Sequence, residues 1–166
     1  MKNYASNRVR NVVLLGHSGS GKTTYAEAAL YYSGATKRFG KVEDGNTVSD
    51  YDQDEIKKGF SLSTSLIPIE WKDVKINVID TPGHPGFAGE VSQALRVADS
   101  AVIVIDAKAG IEVGTELAWD RATDAGLPKA IFINKFDINF CNSIFVLIYN
   151  NIIYIALHIY LLKTTL

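Results

Sequence analysis

Apolar residues recur along the chain in short runs separated by polar segments. Positions 12–15 are continuously apolar, which is typical of a buried strand, and in positions 74–79 Lys75 and Asn77 alternate with apolar residues. Positions 24–30 carry good helix formers. The predicted elements, in chain order, are strand 9–15, helix 22–32, strands 62–71 and 74–79, helix 89–97, strand 101–105, helix 115–125 and strand 130–133.

This alternation of strands and helices predicts an α/β fold with a three-layer, mainly parallel sheet. Strands 62–71 and 74–79 flank only Lys72 and Asp73, so we expect them to pair as one antiparallel edge of that sheet. The first helix should end at Ser33 and Gly34. Positions 36–54 are polar, with five acidic residues, and predict a mobile loop.

A glycine-rich turn joins the first strand to the first helix with the spacing G-x-x-x-x-G-K-T, which is the P-loop pattern in its required context. Its glycines allow positive φ, so that successive N–H groups can surround a phosphate. Lys22 would reach the β- and γ-phosphates of a nucleotide, and the Thr23 hydroxyl could bind Mg²⁺. The alternative is a turn without a ligand. The predicted phosphate-binding residues are Gly16, His17, Ser18, Gly19, Ser20, Gly21, Lys22, Thr23 and Thr24.

A second motif, Asp80-Thr81-Pro82-Gly83-His84, follows strand 74–79. Asp80 therefore lies at the carboxyl end of a strand, where open α/β sheets bind ligands, and its carboxylate could hold Mg²⁺ through a water. Gly83 lacks a side chain, so its N–H can turn toward a γ-phosphate, and His84 lies within plausible reach of an attacking water. Pro-Gly is also common in simple turns, which is the alternative here.

The third motif, Asn134-Lys135-Phe136-Asp137, closes strand 130–133. Asp137 could accept hydrogen bonds from N1–H and the 2-amino group of guanine, while Asn134 addresses the other edge of the base. Lys135 would lay its apolar stem along the base plane. Because the three motifs occur in this order at successive strand ends, they predict GTP or GDP as the ligand and disfavour ATP.

These motifs resemble the GTP-binding domain of translational GTPases, most specifically of elongation factor G and its relatives, including the ribosomal-protection type. The resemblance covers positions 9–137 and includes stretches 54–62 and 76–84. It implies hydrolysis of GTP with Mg²⁺, with Lys22 and the metal stabilising charge and His84 orienting the attacking water. It also implies contact with the ribosome in the full-length protein. Ras-like proteins differ in placing a glutamine near the position of His84.

The first switch of this family normally contains arginine-glycine-isoleucine-threonine, where this chain has Lys58-Gly59-Phe60-Ser61. Ser61 keeps a hydroxyl for Mg²⁺ but lacks the β-methyl that makes threonine stiff. The predicted metal ligands are therefore Thr23, Ser61 and Asp80.

Composition fits a nucleotide-binding domain with no general affinity for nucleic acid. The formal net charge is −1 with 21% charged residues, so we expect no binding to DNA. One cysteine, Cys141, excludes an internal disulfide and predicts a reducing cytoplasm. Trp71 and Trp119 are expected to pack in the core rather than to contact a ligand.

The sequence changes character after Asp137, so we divide it into a partial GTP-binding domain at 1–137 and an apolar tail at 138–166. Positions 138–162 contain no Asp, Glu, Lys or Arg. The tail is either a transmembrane helix, against which Asn150, Asn151 and His158 argue, or the frameshifted, truncated or misassigned end of a longer gene, which we prefer.

The consequence expected from this tail is a G domain that is incomplete at its carboxyl end. The serine-alanine element with which the family backs the guanine pocket is not visible. An alternative function is therefore a non-catalytic guanine-nucleotide-binding protein or a membrane-tethered remnant.

Overall fold

The computed structural model describes residues 2–135 and, as backbone alone, two short strands beyond them. A 3₁₀ turn at Ser6–Arg8 precedes the first strand, and another at Pro85–Phe87 precedes the third helix. The elements are β1 (Val9–Leu15), α1 (Lys22–Tyr32), α2 (Gln53–Lys58), β2 (Ser65–Trp71), β3 (Val74–Asp80), α3 (Ala88–Leu95), β4 (Ser100–Asp106), α4 (Val113–Asp124), β5 (Lys129–Asn134), β6 (Val146–Tyr149) and β7 (Ile152–Ile155).

Five strands form one sheet in the order β2-β3-β1-β4-β5. β1 pairs in parallel with β3 and with β4, β4 pairs in parallel with β5, and β2 runs antiparallel to β3. The predicted fold class, with one antiparallel edge strand, is confirmed. Leu14 lies beside Asp80 in the register, and Asp106 lies beside Asn134, so the carboxyl ends of the parallel strands meet at one edge of the sheet.

Helices cover both faces of this sheet because neighbouring residues of β1 point in opposite directions. Val13 and Leu15 are buried in a cluster with residues of α3 and α4, including Val91 and Ala118. Leu14 is buried in a second cluster with residues of α1 and β2. The central strand is thus apolar on both faces, as its continuous apolar run predicted, and its end is held rigidly between two layers.

Most boundaries agree with prediction within two residues, but β2 begins three residues later than expected. Leu62 and Ser63 donate their backbone N–H groups to Glu55 Oε1 at 2.8 and 3.1 Å, and Thr64 N donates to Glu90 Oε2 at 2.8 Å. Because these donors are bonded to carboxylates, they are not part of the sheet ladder.

Helix α2 was not predicted, although the sequence contains signals for it. The Asp52 side chain caps the helix by accepting from Asp54 N at 2.8 Å. Gly59 ends it with φ 69°, a conformation that glycine adopts without steric cost. The polar character of positions 36–54 had obscured this cap and stop pattern. The predicted mobility of that loop stays a prediction.

The packing prediction holds for one tryptophan and is wrong for the other. Trp119 packs against the core cluster beneath α3 and α4. Trp71 is 49% exposed, although it continues the inward face of Ile67 and Ile69. It lines a surface groove beside Gly34, past the end of α1, so no helix covers it.

Strands β6 and β7 form a separate antiparallel pair. The predictions for the tail, and the domain division at 137, otherwise concern residues outside those that the structure describes. Within residues 2–135, no helix has the length and apolar character needed to cross a membrane.

Candidate functional site

The turn between β1 and α1, residues 16–23, is called the phosphate loop here. Gly16, Gly19 and Gly21 all have positive φ, as predicted. Lys22 folds back over this loop and donates from Nζ to Gly16 O at 3.1 Å and to His17 O at 2.9 Å. Two of its three ammonium donors are therefore fixed by the loop, which leaves one donor for an anion held there.

Lys22 is only 6% exposed, and this burial lowers the pKa of its ammonium group to about 8. The carboxylates of Asp80 and Asp50 oppose the shift. A buried cation without a solvent shell is attracted strongly to a phosphate, since the phosphate replaces the hydration that burial removed.

Three oxygen-bearing side chains converge beside Lys22. Thr23 Oγ1 donates to Asp80 Oδ2 at 2.8 Å and lies 3.2 Å from Ser61 Oγ. Ser61 Oγ donates to Asp50 Oδ1 at 2.8 Å. The predicted metal ligands Thr23, Ser61 and Asp80 are thus brought together from α1, the segment after α2 and the end of β3.

Asp80 has the electrostatic character of a metal-binding carboxylate. It is 1% exposed, and burial raises its pKa to about 6 in spite of the Thr23 hydrogen bond and the nearby Lys22 charge. Its Oδ1 is buried and makes no hydrogen bond of good geometry among the described residues, although the Ser49 hydroxyl lies near enough to oppose the rise in the pKa of Asp80. Hydroxyl and carboxylate oxygens are the ligands that Mg²⁺ prefers, so this group of oxygens fits that ion.

Gly83 approaches the phosphate loop closely enough to exclude any side chain. A Cβ at this position would lie 2.7 Å from Ser18 N and 2.8 Å from His17 C, and it would also collide with Lys22 Nζ. The end of β3 therefore touches the loop through backbone alone, as the prediction of a γ-phosphate contact by Gly83 requires.

His84 lies outside the cavity formed by these groups. It is exposed, and its Nδ1 accepts a hydrogen bond from Gly86 N at 3.1 Å. Phe60 lines the cavity and stacks on the His84 ring, with ring centroids 6.3 Å apart. Phe60 thus contacts both the cavity and the predicted water-orienting residue.

The base-reading end is attached to the phosphate loop. Asn134 Nδ2 donates to Ser20 O at 3.0 Å, and Lys135 Nζ donates to Gly19 O at 2.7 Å. Lys135 also pairs with Asp106 Oδ2 at 2.8 Å, and this contact holds the pKa of Asp106 below its usual range. The role predicted for Asn134 at the base stays a prediction, and Asp137 lies outside the described residues.

One cavity of about 190 Å³ joins most of these parts. This volume is below the ~300 Å³ at which pockets for whole ligands begin, so the described walls suit the phosphate end of a nucleotide. Asp80 adjoins this cavity through Thr23, whereas His17 turns toward α4 and accepts from Gly114 N at 3.3 Å. The predicted site residues that line the cavity are Ser18, Gly19, Gly21, Lys22, Thr23, Thr24, Ser61, Gly83 and Lys135.

Two acidic residues of the site were missed by the sequence analysis. Asp106 ends β4 and could have been found by the argument that identified Asp80, since both lie at the carboxyl end of a parallel strand. Asp50 is buried, lines the cavity and binds Ser61. It lies in a polar loop with four other acidic residues. Only its burial in the folded protein distinguishes Asp50 from the other acidic residues of this loop.

Comparisons with known proteins agree with this geometry. A family model described as the elongation factor Tu GTP binding domain matches residues 7–152. Ribosome-releasing factor 2, mitochondrial, from Scheffersomyces stipitis is 47% identical over 130 residues, covering 78% of this chain and 15% of the relative. Elongation factor G from Granulibacter bethesdensis is 43% identical over 130 residues, covering 78% of this chain and 19% of the relative.

The solved structures include a similar fold. A crystal structure of a protein from Thermus thermophilus matches with a TM-score of 0.76 and 41% identity, over 78% of this chain and 20% of that chain.

The chain spans less than 20% of the length of the ribosome-releasing factor and of the elongation factor that it matches.

Proposed function

The chain belongs to the elongation factor Tu GTP-binding domain family, as an elongation factor G-like GTPase domain, and we propose that it binds GTP with Mg²⁺ and hydrolyses the γ-phosphate by attack of water. The predicted resemblance to elongation factor G is confirmed. The work of a complete relative extends beyond the part that this chain spans, so action on the ribosome is part of the proposal.

The observation that carries this proposal is the single cavity shared by the phosphate loop, Ser61 and Gly83. A buried lysine supplies positive charge, hydroxyls and a carboxylate supply hard oxygen atoms, and a glycine brings backbone close to the loop. This combination suits a nucleoside triphosphate held by its phosphates.

Each side chain has a role that its position allows. Lys22 would neutralise charge on the β- and γ-phosphates, and the loop carbonyls that it bonds keep its ammonium in place. Thr23, Ser61 and Asp80 would hold Mg²⁺. When bound, that ion supplies charge neutralisation between the β- and γ-phosphates.

His84 would orient the attacking water rather than deprotonate it. While Gly86 N donates to Nδ1, the neutral ring carries its proton on Nε2 and offers a donor to water. His84 stacks on Phe60 and does not line the cavity. We therefore infer that the chain alone hydrolyses GTP slowly. Hydrolysis should be faster when a partner moves the His84 ring into the cavity.

Guanine selectivity is proposed to come from Asp137, with Asn134 and Lys135 fixing the segment before it. Both of these residues bond to the phosphate loop, which sets the distance from base to phosphates. Asp137 would accept from N1–H and the 2-amino group, which adenine does not present together.

The ribosome is the partner we propose, on the basis of relatives named as a ribosome-releasing factor and an elongation factor. Binding to DNA is not part of the proposal. The cytoplasmic location predicted from the single cysteine stays a prediction, and the ribosome-releasing factor is named as mitochondrial. Fractionation of the source cells would decide between these compartments.

A second candidate is guanine-nucleotide binding without turnover. The position of His84 outside the cavity favours it, because the described site has phosphate-binding groups but no group placed at an attacking water.

Single-turnover hydrolysis of GTP, with and without ribosomes, separates the two functions. We expect a slow rate that ribosomes increase. His84→Ala should keep GDP affinity within about twofold and abolish the stimulation, since the histidine acts on the transition state. Tight GDP binding with no turnover under either condition would establish the second candidate instead.

A further inference from the structure

Glu27 is a buried carboxylate that none of the proposed steps uses. It lies on α1 and is 1% exposed. Its Oε2 has no hydrogen-bond partner among the described residues. A carboxylate in such a place destabilises the fold unless its contacts compensate. The contacts of Glu27 therefore show what its burial stabilises.

The contacts of Glu27 are with the loop between α1 and α2. Val48 N donates to Glu27 Oε1 at 2.5 Å. Gly40 lies so close to the carboxylate that a Cβ there would collide with Oε2, and it would lie 3.0 Å from Thr47 Cα. Glu27 thus meets this loop at two points, before and after the turn that contains Glu43 and Asp44.

From Val48, the backbone to the nearby residues Thr47 and Asp50 and then a short series of hydrogen bonds lead to the proposed metal ligands. Asp50 N donates to Thr47 Oγ1 at 3.3 Å, which forms a tight turn around Val48. The Asp50 carboxylate accepts from Ser61 Oγ, and Ser61 Oγ lies 3.2 Å from Thr23 Oγ1. The bond from Val48 to Glu27 therefore restrains the position of Asp50. Asp50 in turn restrains the Ser61 hydroxyl through their hydrogen bond.

Thr23 and Glu27 are four residues apart on α1, so they lie on one face of the helix, one turn from each other. The helix that begins at the phosphate loop therefore contacts the segment 36–61 twice. Thr23 meets Ser61 near the end of the segment, and Glu27 meets Val48 near its middle.

We propose that Glu27 is a positioning residue for the GTP-bound state, which holds Ser61 at the Mg²⁺ site by anchoring Val48 to α1. This inference rests on the proposed function, because Ser61 matters only if the site takes GTP and Mg²⁺. Phosphate-loop contacts shared by GDP and GTP do not pass through Glu27. Its loss should therefore weaken GTP binding selectively.

The test compares Glu27→Met, which keeps the length of the side chain and removes the acceptor, with Glu27→Gln, which keeps an acceptor for Val48 N. Glu116→Met, at an exposed position of α4, is the matched control. The full chain is used throughout, and its unfolding temperature is measured for every variant.

The first readout is tryptic cleavage within positions 37–58, located by mass spectrometry, without nucleotide. Loss of a hydrogen bond to a charged group should raise local opening, and hence cleavage, about tenfold in Glu27→Met. Glu27→Gln and the control should stay within about twofold of the parent. Unchanged cleavage in Glu27→Met would overturn the proposal whether or not the chain binds nucleotide.

The second readout is the ratio of the Kd of a non-hydrolysable GTP analogue to that of GDP, both with Mg²⁺. The ratio should rise about tenfold in Glu27→Met and in Ser61→Ala, with no further rise in the double variant, because both changes break one path. Equal weakening of both nucleotides, with a lower unfolding temperature, would show a merely structural role. A parent chain that binds no guanine nucleotide contradicts the proposed function, while the cleavage readout still decides the role of Glu27.

Discussion

The two ends of the proposed nucleotide site are built in different ways. At the phosphate end, the side chains of Lys22, Thr23 and Asp80 are buried, with exposed fractions of 6%, 8% and 1%. At the base end, the Lys135 side chain is 44% exposed, and Asn134 lies on β5, an edge strand of the five-stranded sheet. The first end is part of the core, and the second is attached to its surface.

This difference indicates that the phosphate end positions the base end. Asn134 and Lys135 use their side-chain nitrogens to bind carbonyls of the phosphate loop at Ser20 and Gly19. We therefore expect changes at the phosphate end to remove binding of every nucleotide, whereas changes at the base end should alter which base is bound.

The largest effect should come from Lys22→Ala. This change removes the buried charge that we propose binds the phosphates of every nucleotide, so GDP and GTP should both bind at least about a hundredfold more weakly. Titration with a fluorescent GDP analogue measures this. Lys2→Ala removes an exposed lysine at the start of the chain and is the control. Nucleotide affinity close to that of the parent in Lys22→Ala would show that the loop does not hold phosphate.

The next largest effect should come from Asp137→Asn, which changes only the base end. Guanine would lose the acceptor for two donors, and GDP affinity should fall about thirtyfold, as expected for hydrogen bonds to a charged group. Xanthine nucleotides should improve, because their 2-oxo group needs a donor. Competition between GDP and XDP measures the exchange. A parallel loss of both nucleotides would mean that Asp137 supports the fold rather than reads the base.

A smaller effect is expected for Gly83→Ala, because the new Cβ must displace Lys22 Nζ or the loop backbone. GTP affinity should fall about tenfold, and GDP affinity less, if Gly83 faces the γ-phosphate. Gly89→Ala is the matched control, since no atom lies within 4 Å of a Cβ there. Equal GTP affinity of Gly83→Ala and Gly89→Ala would show that the end of β3 does not contribute to the phosphate site.

The smallest effect should come from Lys135→Met, which cuts one of the two links between the ends. Because the Lys135 side chain that donates to Gly19 O is 44% exposed, its contacts contribute little free energy, and we expect GDP dissociation to become only about threefold faster. Stopped-flow release of labelled GDP, with Lys37→Met as control, measures the change. A loss as large as that of Lys22→Ala would contradict the division of the site into a buried and an attached end.

The residues of the phosphate end could be predicted from sequence because most of them belong to short motifs that follow clear strands. The loop, Lys22 and Thr23 are consecutive, and Asp80 and Gly83 follow a strand whose apolar pattern is clear. Their convergence follows from parallel pairing of β1 with β3. The rules of helix and strand periodicity are sufficient for such residues.

What could not be predicted are contacts of side chains that no sequence motif marks. Glu55 and Glu90 take backbone donors from the start of the expected strand and so shorten β2. Glu27 binds Val48, 21 positions away, and no local pattern marks it as an anchor. Trp71 is exposed because α1 ends before it, which depends on how the helix lies across the sheet.

Competition of GTP and ATP for the full chain in the presence of Mg²⁺ tests the central claim most directly. The claim is that a buried phosphate site is combined with a guanine-reading end in one chain. Labelled GDP should be displaced by unlabelled GTP and GDP at similar concentrations, and ATP should require at least about a hundredfold more, since it lacks the two donors for Asp137. Displacement by ATP and GTP at equal concentrations would contradict the account.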